Sequence, residues 1–124
     1  MTKTSASVTR WDDLPLEPMK GSMSRRFVHS EQMMVAQVNF AMGDSVPAHR
    51  HDNEQYTYVV TGALHFLFGE DQDEEAVVSA GEIVLIPSGL LHSASAGEDT
   101  FELDIFCPPR RDWIEGDDAY MRED

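Results

Sequence analysis

Basic residues are scarce. Nine Lys and Arg stand against 23 Asp and Glu, which leaves a formal net charge of −14. Nucleic-acid binding needs a basic stripe, and none exists in the chain. The same surface would be repelled by anionic membranes. Long apolar runs are also missing. No segment approaches the roughly 20 apolar residues of a membrane helix. The first ten residues, mostly polar, hold no apolar core of a secretory leader, which points to the cytoplasm. Cysteine occurs once, as Cys107. An internal disulfide is therefore excluded, and a reducing compartment fits. Cys107 lies in an apolar run, where a small buried hydrophobe is expected. The acidity sets one condition on chemistry: an anionic substrate would need arginines close by to offset the overall field.

A helical period of useful length is absent too. The chain instead offers short apolar runs separated by turn residues. Residues 33–42 read as a strand ended by Gly43 and Asp44. Residues 56–60 and 63–68 read as two strands about Thr61-Gly62, a tight hairpin turn. Residues 70–75 form an acidic, solvated loop. Further strands fall at 76–79, 83–86 and 100–107. The hydrophobic fraction, 41%, is ordinary for a globular chain, and 124 residues suffice for one domain with a core. Many short strands at regular spacing predict an all-β sandwich or barrel. Residues 1–20 read as a lead-in, since Pro15 and Pro18 discourage helix, and 21–124 as the domain itself. Trp11 and Leu14 can pin the lead-in to the body. The tail, 110–124, holds one short helical turn.

His49 and His51 stand two apart, so a strand would present both imidazoles on one face. An isolated pair of this kind is more often a surface feature. The neighbours change the weighing. Gln55 follows His51 by four residues, and the order Gly81-x5-Pro87-x-Gly89-x2-His92 follows further on. Together with Gly43-x5-His49-x-His51-x3-Gln55-x6-Gly62, these residues resemble the two signature motifs of the cupin superfamily. The resemblance implies a double-stranded β-helix barrel, jelly-roll-like in form, with one divalent metal ion held in its mouth by His49, His51, Gln55 and His92. Zn, Ni, Fe and Mn all suit such ligands. Most metal-binding cupins carry Glu where Gln55 stands. Glu54 would point to the opposite face unless a bulge turned it inward. Three histidines and a glutamine carry no charge, so the ion would keep its own and favour Lewis-acid work on an oxygen-rich substrate.

The last strand presents two faces. Phe101, Leu103, Ile105 and Cys107 form an apolar face suited to burial. Glu102, Asp104 and Phe106 form the other. Asp104-x-Phe106-x3-Arg110 is similar to the pocket motif of the uronate-linearising cupins of pectin and alginate breakdown, in which a Gln ligand also occurs. That resemblance implies conversion of a small 4,5-unsaturated uronate from ring to linear keto form. Asp104 would then be the proton shuttle, Arg110 the carboxylate clamp and Phe106 the pocket floor. The Pro-Pro-Arg-x-x-Trp stretch through Trp113 also resembles the end of many small cupins of unassigned activity. A dioxygenase, a polyketide cyclase and a non-catalytic ligand-binding cupin remain the alternatives. Tyr58 and Gln37 are candidate substrate-binding residues, each with a plain alternative in core or solvent. His29 and His65 read as surface or structural. Arg25 and Arg26 read as solvated charges, either of which could meet an anionic substrate. A homodimer is expected, because pairing covers an exposed sheet edge.

Overall fold

The computed structural model describes residues 5–122; the outermost residues of the lead-in and of the tail, 1–4 and 123–124, lie outside it. After one 3₁₀ turn at Trp11–Asp13, ten strands follow in order: β1 (Glu17–Pro18), β2 (Ser24–His29), β3 (Met34–Phe40), β4 (Ser45–His49), β5 (Glu54–Thr61), β6 (Ala63–Phe68), β7 (Glu74–Ser79), β8 (Ile83–Ile86), β9 (His92–Ala96) and β10 (Thr100–Cys107). Two short helices, α1 (Arg111–Glu115) and α2 (Ala119–Arg122), close the chain. The lead-in thus carries a strand, and the tail carries two helices rather than one turn. The strands form two antiparallel sheets, ordered β1-β2-β3-β10-β5-β8 and β4-β9-β6-β7. This is the all-β, two-sheet, jelly-roll-like barrel that the motifs implied.

Alternation builds the core. Met34, Ala36, Val38 and Phe40 of β3 point inward, as do Leu64, Phe66 and Phe68 of β6. Each such side chain contributes about 1.5–3 kcal/mol by leaving water. β5 and β10 break the apolar rule. Their inward residues include Gln55, Thr57, Glu102 and Asp104, all buried. A polar patch is therefore built into one wall of the barrel.

Thr61-Gly62 is not a hairpin turn. β5 belongs to the six-stranded sheet and β6 to the four-stranded one, so the chain crosses between sheets at Gly62. Gly62 has φ +91°, and a Cβ there would lie 2.7 Å from Thr100 Cα. Only a residue without a side chain passes so close to the start of β10. The Thr100 hydroxyl holds the corner, meeting both the N–H and the C=O of Ala63 at 3.1 Å.

The two faces of β10 are reversed relative to the hydrophobicity argument. Glu102, Asp104 and Phe106 face the interior, whereas Phe101, Leu103 and Ile105 are half-buried on the outer side. The neighbours set this phase. Asp104 lies opposite Ala36 and Thr57, both fully buried, and residues directly opposite in a ladder share a face. The same alternation leaves Cys107 exposed at the strand end, not buried.

Besides β1, three strands escape a reading by apolar runs. Charged Arg25 and Arg26 interrupt β2, while β4 and β9 are short and rich in small or polar residues. Arg25 is not solvated. It is fully buried, paired with Glu17 at 3.0 Å and Asp118 at 2.5 Å, and stacked over the Trp113 ring at 4.2 Å. Arg26 spans Gln37 and Asp12 on the outer surface. Among the described residues no helix is long and apolar enough to cross a membrane.

Candidate metal centre

His49 closes β4 and lies directly across from His92, which opens β9. His51 stands beyond the strand end, so simple strand alternation does not govern its direction. Its position follows from the second motif. The N–H of Gly89 donates to the His51 carbonyl at 2.9 Å, and Gly89 adopts φ +80°, a left-handed conformation that costs glycine little. The two glycine-framed segments are thereby clasped together. Ring centroids then fall 5.6 Å apart for His49 and His51, 4.3 Å for His49 and His92, and 5.1 Å for His51 and His92. One nitrogen of each imidazole lies within 4.8 Å of the other two.

Each ring is oriented by a backbone carbonyl. Nδ1 of His49 faces the Pro47 carbonyl at 2.9 Å, that of His51 the Asn53 carbonyl at 3.1 Å, and that of His92 the Leu90 carbonyl at 2.8 Å. A carbonyl can only accept, so these contacts assign the proton to Nδ1 and leave Nε2 with a free lone pair. All three rings are also held neutral. Burial lowers His49 from its ordinary 6.5 to about 3, with His92 adding to the shift. Burial lowers His51 to about 4, with Arg110 and His92 adding, and burial lowers His92 too. Neutral imidazole is the form that binds a metal.

Gln55 completes the set. Its Nε2 donates to Thr57 Oγ1 at 2.8 Å and approaches Asp104 Oδ1 at 3.4 Å, which turns Oε1 toward the histidines. Oε1 lies 3.0 Å from His51 Nε2. A neutral His51 that donates from Nδ1 has no second proton to place between these atoms. Two lone-pair atoms at that distance repel unless a cation draws them together. The donor set therefore fits a divalent ion, held by His49, His51, His92 and the Gln55 oxygen. Glu54 is exposed, and its register partner is Cys107 on the outer strand end.

Asp104 adjoins this cluster. The Thr57 hydroxyl donates to its Oδ1 at 2.6 Å. Burial raises its carboxyl above the ordinary value, so it holds a proton more readily than a surface aspartate. Glu102, one alternation earlier, is 4% exposed, and burial pushes its carboxyl well up, with the Asp104 charge adding. Arg110 is also buried. Its Nε and Nη2 donate to the two Asp112 oxygens at 2.9 and 2.7 Å, and Nη2 also meets the Tyr120 hydroxyl. Its guanidinium stacks on Phe106 and Trp113, and Phe106 in turn meets His51 edge-on at 5.8 Å. A cavity of about 40 Å³ is lined by His49, His92, Gln55, Asp104, Phe106 and Arg110.

Two candidates lie elsewhere. Tyr58 stands between the fully buried Thr57 and Val59, so alternation directs its ring to the outer face, beside Ile83 and Leu103. Gln37 likewise faces outward, where it accepts a hydrogen bond from Arg26 Nε at 2.9 Å. His29 is exposed, and His65 pairs with Glu75 on the surface, as expected. Thr57, Glu102 and Tyr120 were not anticipated. The first two share a strand face with Gln55 and Asp104, and period two was the available signal. Tyr120 left no local signal at all.

Known proteins agree with this architecture. The chain is similar in structure to KdgF from Halomonas sp., with 27% identity, a TM-score of 0.77, and coverage of 86% of this chain and 99% of the other. It is similar in fold to an RmlC-like cupin from Shewanella frigidimarina, at 24% identity and a TM-score of 0.78 over 88% and 96% of the two chains. It also shares the fold of the polyketide cyclase RemF from Streptomyces resistomycificus, at 21% identity and a TM-score of 0.69 over 84% and 80%. No curated protein matches by sequence. The family model described as "Cupin domain" matches residues 36–107, the stretch that carries both motifs and the whole of β10, and the chain belongs to that family.

Proposed function

We propose that this cupin is a metal-dependent enzyme acting on a small, oxygen-rich acid, and that its reaction converts a 4,5-unsaturated uronate from ring to linear keto form. One observation carries the reading: Asp104, a carboxyl whose hold on a proton is raised by burial, lines the same cavity as His49, His92 and the buried Arg110, beside the three converging imidazoles. The likeness to KdgF supports it. His49, His51, His92 and Gln55 hold one divalent ion, whether Zn, Ni, Fe or Mn, and the ion supplies Lewis-acid polarisation of a substrate oxygen. Arg110 receives the substrate carboxylate through Nη1, its Nε and Nη2 being engaged by Asp112 and Tyr120, and so answers the adverse field of a chain with net charge −14. Phe106 excludes water from the floor. Asp104 moves the proton that ring opening requires, on the ring oxygen or the enol carbon. Thr57 and Gln55 hold its Oδ1 in place.

The test is direct. Unsaturated uronate released by a polyuronate lyase is mixed with metal-loaded protein, and the ultraviolet absorbance of the conjugated ring form is followed with and without oxygen. Faster, oxygen-independent loss supports the reading. Loss only in oxygen would transfer it to a dioxygenase, and no acceleration with any of the four metals would refute it.

We further propose that the protein works as a homodimer. Ile105 lies opposite Val35 and Tyr56, and Tyr56 opposite Leu85, which makes an apolar row on the outer face of the large sheet. Tyr56, Ile83 and Leu85 on that face are exposed in the single chain. A second copy would cover the row and protect the β8 edge.

A further inference from the structure

The mouth of the cavity is covered by a part of the chain that neither motif includes. Tyr120 on α2 lays its ring against His49, with centroids 4.8 Å apart and planes 32° apart. Its hydroxyl accepts from Arg110 Nη2. Met121 beside it is 4% exposed and forms part of the cavity wall. α2 has only four residues and could not hold itself there. It is held from the other end of the chain. Arg122 donates to Glu17 at 2.9 Å and to Asp118 at 2.8 Å, and Arg25 pairs with the same two carboxylates. The Lys20 N–H donates to the Met121 carbonyl at 3.0 Å. These anchors lie outside residues 36–107, the stretch common to the family. The barrel and ligands are thus the family's, while the roof belongs to this chain's two ends.

We propose that Tyr120 is a specificity-determining residue: its ring roofs the metal centre and limits the pocket to small acids, and its hydroxyl holds Arg110 in position to receive their carboxylate. The assignment rests on the carboxylate-binding reading above. The ring packs on His49, so a longer substrate running past His49 would have to displace it. A hydroxyl that accepts from Nη2 fixes one arm of the Arg110 fork and leaves Nη1 for a ligand oxygen.

The experiment uses the full chain loaded with Co(II). Two quantities are read: the rate at which excess EDTA removes the metal, and the dissociation constants for D-galacturonate and tri-galacturonate. Tyr120→Ala should speed metal removal by about three- to tenfold, the factor to which loss of an aromatic contact converts. It should also shift the trimer-to-monomer preference toward the trimer by a similar factor. Tyr120→Phe keeps the ring, so removal rate and size preference should stay as in the unaltered chain while galacturonate affinity falls. A folded Tyr120→Ala protein that releases metal at the unaltered rate would overturn the inference. If that variant does not fold, Arg122→Ala, which loosens the roof without touching the pocket, decides by the same measurement. Arg110→Ala separates the two readings. Galacturonate binding that ignores this change defeats the carboxylate assignment, and the metal-removal rates still judge the roof.

Discussion

Replacing Asp104 with Asn keeps the shape of the side chain and removes its exchangeable proton. The amide oxygen can occupy the place of Oδ1, still accepting from the Thr57 hydroxyl at 2.6 Å and facing Gln55 Nε2 at 3.4 Å. Gln55 therefore keeps its orientation, and Oε1 keeps facing His51 at 3.0 Å. Metal content of Asp104→Asn should match that of the unaltered chain. Turnover should not. Loss of a positioned general acid/base lowers rates by roughly 10²–10⁴-fold, about 3–5 kcal/mol of barrier. The substitution should be mild for stability, because Asn matches Asp in size and keeps the contacts with Thr57 and Gln55. The assay combines elemental analysis of metal per chain, calorimetric melting, and loss of ring-form absorbance under saturating substrate. Full turnover with full metal content would refute the proton-transfer role and leave catalysis to the ion alone. Loss of metal would refute the claim that Gln55 is oriented independently of the Asp104 charge.

His51→Ala should abolish the metal-dependent rise in melting temperature; with the ion at a hundred times its dissociation constant that rise corresponds to about 2.7 kcal/mol, and an undiminished rise would exclude His51 as a ligand. Glu102→Gln tests the second buried carboxyl through pH. Burial raises the folded carboxyl well above 4.5, so in the window above that value the unfolded chain has released a proton that the folded chain still holds. Stability conferred below the window is lost as pH rises through it. The melting-temperature gain of Glu102→Gln over the unaltered chain should thus grow from pH 5 to pH 8, and a constant difference would show that Glu102 does not titrate high. Light scattering should give twice the chain mass at micromolar concentration, and Tyr56→Lys should return it to the monomer; an unaltered chain that scatters as a monomer would refute the homodimer.

Much of the architecture was legible because it is written in short-range patterns. Period two marked β3, β5, β6 and β10, and the two glycine-framed motifs named the residues that converge at the metal centre. Spacing suffices there because a motif is a length of backbone between turns, and glycines at positive φ make those turns. Alternation also separated Gln55 from Glu54, since adjacent residues of a strand cannot share a face. Phase was a different matter. Hydrophobicity within residues 100–107 favoured the wrong side of β10, and only the resemblance carried by Asp104, Phe106 and Arg110 pointed Asp104 toward the pocket, where it lies. Fully buried Ala36 and Thr57 on the flanking strands decided it, and they sit far away in sequence. The same long-range pairing turned Tyr58 and Gln37 outward, sent the chain from one sheet to the other at Gly62, and buried Arg25 against Glu17, Asp118 and Trp113. Tyr120 is the extreme case. A tyrosine in a polar tail carries no periodicity, and its place over His49 exists only because charged side chains from the two ends of the chain meet. Local sequence determined the ligands and the strands that carry them; contacts between distant segments decided which faces look inward and what covers the site.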